Sequence, residues 1–353
     1  MIMKKILCVL LAVLMLFGSA VSAFAVTESD AEKTADALKA LFADGEGPVV
    51  DGVKVDYVTF SPEVPDGEKM PLVIYFHGMG QGTEPRAQIA ANNIALWAGK
   101  DLQSRFSAGG AFLFVPRSNE DKGDFWPNTY IPAVKAAIDG FIAENIDKID
   151  LTRIYVGGFS MGGSMTVRMA QSYPDFFAAA FPMCPAYASS EAEAELLADL
   201  PVWLIVSKYD VIAGWYTFSD KLWNNLMNAT NCPEDCRLSL LTKVTFPDGT
   251  KTDSNHHVWF AASNDMFKYD GSAYDNMTTV NGNGDAVELT YPDGLISWLN
   301  NYSSDFEGTA IEPNPLPAQT AKTTLDMAKN IIVAIFKMFV STVKAALSGG
   351  VKC

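Results

Sequence analysis

The chain has 353 residues, 49% of them hydrophobic, which is enough for one large α/β domain or two smaller ones around a sizeable core. Its 26 Lys and Arg against 41 Asp and Glu give a formal charge of −15, which excludes a general nucleic-acid binder. The only histidines are His77, His256 and His257, and no Cys/His cluster has zinc-ligand spacing, so no metal site is expected.

Residues 1–25 read as an export signal. Lys4-Lys5 form a basic start, Ile6 to Phe17 an apolar run too short to span a bilayer, and Ala23-Phe24-Ala25 an A-x-A cleavage site. The mature chain is expected to begin at Val26 and to be secreted, with a charge of −17 once Lys4 and Lys5 are lost from the −15 total. Residues 26–48 form a helical segment, with amphipathic spacing over Ala31–Phe42. Val49–Phe60 alternates like a strand at a sheet edge.

Solid apolar runs then predict strands at Leu72–Phe76, Ala111–Val115, Arg153–Val156, Phe177–Pro182, Val202–Ser207 and Leu238–Thr245. Helical spacing lies between them at Ile89–Arg105, Ile131–Asn145, Ser164–Ser172 and Trp215–Ala229, and after them at Gly294–Asn301. Strands without alternation, interleaved with helices, predict an α/β fold with a mostly parallel sheet covered on both faces, spanning 49–302. Residues 303–324, with Pro313, Pro315 and Pro317, read as a linker. Residues 325–353 read as a basic amphipathic helix whose Lys329, Lys337 and Lys344 share one face. That helix fits docking on the body, a membrane surface or self-association. Cys232-Pro233-Glu234-Asp235-Cys236 fits either a small disulfide or two free thiols.

Gly157-Gly158-Phe159-Ser160-Met161-Gly162-Gly163 directly follows a predicted strand and opens a predicted helix. A G-x-S-x-G at such a junction is a sharp turn that holds its serine in a strained conformation, clear of the sheet and at a helix N-terminus. A serine alcohol needs an adjacent base, an acid to orient that base, and donors for the oxyanion. Phe76-His77-Gly78-Met79-Gly80 follows an early strand and supplies glycine-rich backbone N–H groups, so His77 is read as shaping an oxyanion turn. The base is therefore His256 or His257. The acid should end a later strand, and Asp210 follows the apolar run from Val202. Asp220 falls on a predicted helix, Asp235 in the cysteine loop, and Asp253 on the histidine loop itself.

With Tyr173-Pro174-Asp175-Phe176-Phe177-Ala178-Ala179-Ala180, these motifs resemble the secreted α/β-hydrolase esterases over about Val49 to Tyr302. That group includes polyhydroxybutyrate-depolymerase-like and feruloyl-esterase-like enzymes and grades into prolyl-oligopeptidase-type hydrolases. The resemblance implies Asp210 as the acid, although Ser207-Lys208 replaces the usual His-Gly before it. It also implies His256 as the base, from the His-x-(Val/Ala)-Trp pattern in His256-His257-Val258-Trp259. The expectation is then a secreted serine esterase for carbohydrate-linked or small acyl esters, of feruloyl or acetyl type. Ser160, Asp210 and His256 would carry it, the backbone N–H groups of Met79 and Met161 would bind the oxyanion, and no cofactor would be needed. Competing expectations are a prolyl-oligopeptidase-type peptidase and a catalytically inactive surface-binding protein. Phe125-Trp126 and Tyr130 fit either an aromatic wall for substrate or packing beneath a loop. The insertion between Trp259 and Gly294 is expected to overhang the site.

Overall fold

The computed structural model describes residues 36–118, 126–245 and 254–308, and beyond them 311, 313, 314 and 316. The export signal 1–25, Phe125, Asp253 and the stretch 325–353 lie outside the described residues. One sheet contains β1 Ala43–Glu46, β2 Asp56–Phe60, β3 Met70–Phe76, β4 Phe112–Arg117, β5 Ile149–Phe159, β6 Ala179–Met183, β7 Trp203–Ser207, β8 Arg237–Leu241 and β9 Met277–Asn281. Their order is β1-β2-β4-β3-β5-β6-β7-β8-β9. Neighbours from β4 through β8 run parallel, whereas the β1–β2, β2–β4 and β8–β9 pairs are antiparallel.

The apolar runs form central strands because both faces of the sheet are covered: every residue of β3, β6 and β7 is buried. The longer helices are α1 Tyr130–Glu144, α2 Met161–Ser172 and α3 Ser219–Ala229. Helix α2 packs on β3, β5 and β6. A Cβ on Gly163 would lie 2.6 Å from the Met183 carbonyl, so glycine sets how closely α2 approaches the sheet.

The structure departs from the sequence expectations in several places. The edge strand is β1, not Val49–Phe60. Val50 and Val53 instead bond to each other across Asp51 and Gly52, whose positive φ values of 50° and 80° make a tight hairpin turn. The helix expected over Ile89–Arg105 is broken into Ala87–Ala90, a 3-10 stretch Ala91–Ala98 and Lys100–Gln103. Asn92 and Asn93 cause the break, with left-handed φ of 57° and 52° that no helix accepts.

The insertion after Trp259 contributes β9 at the far edge of the sheet, and its Asp265 is a buried partner of Arg105 at 2.9 Å. Within 303–324, some of the described residues contact the body. Phe306 stacks edge-on against Phe176 at 4.9 Å, and the Asn314 N–H donates to the Ser172 carbonyl at 2.8 Å. No helix among the described residues is long and apolar enough to cross a membrane.

Candidate active site

Parallel register brings the site together. Phe76 pairs with Gly158 and Phe159 with Met183, so the residues that follow β3, β5 and β6 emerge side by side at the C-terminal end of the sheet. That is where α/β sheets place their ligands. Between β5 and α2, Ser160 has φ 58° and ψ −116°, a conformation a side-chain-bearing residue rarely holds. Its N–H donates to the Met183 carbonyl at 2.8 Å, which fixes the turn.

Two flanking glycines make that turn possible. A Cβ on Gly158 would sit 2.6 Å from the Gly162 carbonyl oxygen, and one on Gly162 would sit 2.1 Å from that of Phe76. The start of α2 is therefore pressed directly against the end of β3.

Ser160 Oγ lies 2.8 Å from His256 Nε2, and His256 Nδ1 lies 2.6 Å from Asp210 Oδ2. All three residues are buried. The other carboxylate oxygen, Oδ1, accepts the N–H groups of Ile212 and Ala213 at 2.8 and 3.0 Å. These donors hold the carboxylate in one orientation, so Nδ1 of His256 carries the proton and Nε2 is left as the acceptor for Ser160. The loop that presents His256 is pinned to the Asp210 loop, because the Val211 N–H donates to the Ser254 carbonyl at 3.1 Å.

The ring of Phe159 packs under His256 at 4.7 Å and helps set its tilt. His257 turns elsewhere: Trp259 Nε1 donates to its Nδ1 at 3.3 Å, and burial lowers its basicity. The structure therefore joins His256, and not its neighbour, to Ser160 and Asp210. Of the other acids weighed, Asp220 lies on α3 and Asp235 in the cysteine turn.

The His77 turn sits beside Ser160. His77 is fully buried, Nδ1 lies 2.7 Å from the Gly78 carbonyl, and Nε2 accepts the Ser118 N–H at 3.2 Å. A carbonyl can only accept, so Nδ1 bears the proton and the ring is neutral; burial pushes its pKa down to about 4. The Gly78 N–H is taken by Gln81 Oε1 at 2.6 Å, and Gln81 is held in turn by Asn92 at 2.9 Å. The N–H groups of Met79 and Met161 pair with no acceptor among the described residues. Both turns thus leave donors available beside the serine.

Trp126 and Tyr130 were candidates for an aromatic wall, but the structure packs them in the interior, 1% and 2% exposed. Trp126 Nε1 donates to the His77 carbonyl at 3.0 Å, and the Trp126 carbonyl accepts Arg168 Nη2 at 2.7 Å. Trp126 thereby ties the His77 turn to α2, while Tyr130 stacks edge-on behind it at 5.8 Å. The exposed apolar side chains on the site loops are Met79, Tyr209, Val211 and Tyr216, with Tyr209 and Tyr216 56% and 68% exposed.

Gln81, Asn92, Phe159 and Arg168 escaped sequence reasoning; each supports the site through partners distant in sequence. Cys184, which follows β6, is buried against Asp210 and His256, the one cluster of possible metal-ligating groups found among the described residues. Burial and the Asp210 carboxylate raise its pKa well above that of a free thiol.

No protein-family model matches the chain. A curated relative, the candidate esterase NocK of Nocardia uniformis subsp. tsuyamanensis, is 26% identical over 151 residues, 42% of each chain. The chain therefore spans about two fifths of that relative. The crystal structure of a thermostable esterase superposes with a TM-score of 0.53 at 22% identity, covering 76% of this chain and 64% of its own. An acylaminoacyl peptidase complex aligns at a TM-score of 0.45 and 16% identity over 63% of this chain and 40% of its own, too loosely to bear on the chemistry. By the order of its sheet and by the strained turn at Ser160, the chain has the α/β-hydrolase fold, which it shares with the thermostable esterase.

Proposed function

We propose that the chain is a serine hydrolase that cleaves carboxylic esters through an acyl-enzyme. The observation that carries this reading is the unbroken line of hydrogen bonds from Ser160 Oγ through His256 to Asp210, at 2.8 and 2.6 Å. His256 Nε2 takes the Ser160 proton as Oγ attacks the ester carbonyl, and Asp210 steadies the imidazolium that forms. The Met79 and Met161 N–H groups bind the oxyanion. His256 returns the proton to the departing alcohol. Water, deprotonated by the same nitrogen, then attacks the acyl-enzyme and frees the acid and Ser160.

On the substrate side, the exposed Tyr209 and Tyr216 on the loop that carries Asp210 favour acyl groups with an apolar or aromatic body, such as feruloyl esters, alongside small acetyl esters. Residues 1–25 support export, and the basic stretch 325–353 supports a membrane-surface role.

The deciding assay offers the processed chain p-nitrophenyl acetate, p-nitrophenyl butyrate, methyl ferulate and a prolyl-p-nitroanilide. Ester turnover that disappears in Ser160→Ala is expected; turnover that survives this change sinks the assignment. Preference for the anilide would make the protein a peptidase instead. His256→Ala should abolish turnover and His257→Ala should retain it, and the reverse pattern would move the base to His257. Anionic-vesicle binding should be lost on truncation after Thr324. A change in oligomer size without such a loss would mark the tail as a self-association element.

A further inference from the structure

Far from Ser160, at the N-terminal end of β8, Cys232 and Cys236 share the turn that follows α3. The Cys236 N–H donates to the Cys232 carbonyl at 3.3 Å. This is the closure of one helical turn, which sets the two Cα atoms roughly 6 Å apart. A disulfide requires about 4.4–6.8 Å. The Thr230 hydroxyl lies 3.5 Å from the Cys232 sulfur and 3.8 Å from the Cys236 sulfur, so both thiols converge on one point, and neither is in a disulfide.

The surroundings hold this turn still. The Gly282 N–H donates to the carbonyls of Pro233 and Cys236 at 2.7 and 3.1 Å, and Trp298 Nε1 donates to that of Asp235 at 3.0 Å.

The two sulfurs are not equivalent. Cys236 is buried, whereas Cys232 is half-buried and lines a cavity of about 950 Å³ together with Ala198, Asp199, Asp235 and Tyr302. The neighbouring Cys236 thiol lowers the Cys232 thiol to about 7, while Cys232 and burial push Cys236 up. A thiolate is the nucleophile of disulfide exchange, and its accessible, acidified form attacks first.

We propose that Cys232 and Cys236 form a dithiol–disulfide couple that exchanges with low-molecular-weight disulfides, Cys232 attacking and Cys236 resolving. The Cys232 thiolate displaces one thiolate from the small disulfide and forms a mixed disulfide. The Cys236 sulfur then attacks the Cys232 sulfur, its proton passes to the departing thiolate, and the Cys232–Cys236 bond closes. Two protein thiols are oxidised and one small disulfide is reduced to two thiols.

The test uses the full chain in a Cys8→Ser, Cys353→Ser background, equilibrated with glutathione disulfide, quenched in acid and analysed by intact mass and peptide mapping. The expected result is the loss of two hydrogens, mapped to a Cys232–Cys236 bond. Cys236→Ser, or Cys236→Ala where serine is not tolerated in the buried site, should carry one glutathione on Cys232. Cys232→Ser should leave Cys236 unmodified, and alkylation of Cys232 in the reduced protein should be half-maximal near pH 7. Cys232 and Cys236 both still alkylatable after oxidation of folded protein would overturn the couple, as would glutathione on both cysteines without closure. Labelling of Cys236 in preference to Cys232 would overturn the assigned roles.

Discussion

Replacing Gly162 with Ala should disable the proposed site while leaving the fold assembled. The added Cβ would lie 2.1 Å from the Phe76 carbonyl oxygen and 2.5 Å from that of His77. Real Cβ atoms essentially never approach closer than 3.0 Å, so the first contact alone demands a shift of at least 0.9 Å. Both obstructing atoms are backbone, and no flexible side chain can yield in their place. The start of α2 must therefore move away from the end of β3, taking the Met161 N–H away from the Met79 N–H. A displacement of about 1 Å in a positioned site costs roughly 100-fold in rate. Overpacking at a buried position costs about 1–3 kcal/mol of stability.

The assay is kcat and KM on p-nitrophenyl acetate beside thermal unfolding, with Gly140→Ala as the control. Gly140 lies in α1, where a Cβ would meet nothing within 4 Å, so this change should stabilise by about 1 kcal/mol and leave kcat unaltered. A Gly162→Ala enzyme with kcat within threefold of the parent would refute the placement of the oxyanion donors.

Asp210→Asn should keep the fold and lower kcat by about 10³–10⁴-fold, because the amide favours the wrong imidazole tautomer; stopped assays at high enzyme concentration would read it. His77 gives a pH dependence of stability. Its folded pKa of about 4 lies below the ordinary 6.5, so its contribution is fully present above pH 6.5 and lost as pH falls towards 4. The loss amounts to about 3 kcal/mol, and chemical denaturation between pH 7 and 4 should show it flattened in His77→Gln. Tyr209→Ala and Tyr216→Ala should raise KM for methyl ferulate severalfold and leave p-nitrophenyl acetate unchanged; equal effects on both esters would argue against a rim that reads the acyl group. Trp126→Phe removes the Nε1–H donor to the His77 carbonyl and should cost about 1 kcal/mol with a fall in kcat, which differential calorimetry and initial rates would resolve.

The central strands were readable because a strand buried on both faces must be apolar throughout, and the runs behind β3, β6 and β7 have that character. β9 lacked the signal. Met277–Asn281 lies at the sheet edge, where only Thr279 is buried, so its composition gives no apolar run. The break at Asn92–Asn93 was hidden because helical spacing of apolar residues continues through it. What holds Asn92 is a bond to Gln81, eleven residues away.

By its own sequence the chain determined the local geometry of the elbow, since a glycine on each side of a serine between strand and helix is a steric requirement of that turn. It likewise determined the parallel sheet and the short choice of bases left by three histidines. Composition and spacing left two adjacent imidazoles open; the resemblance in His256-His257-Val258-Trp259 favoured His256, and tertiary structure brings that ring to a serine 96 residues away. It also turned Trp126 from a candidate substrate wall into a strut behind the His77 turn. Both contacts depend on where separate loops converge once the sheet has formed, and for Trp126 no local pattern of residues encodes that convergence.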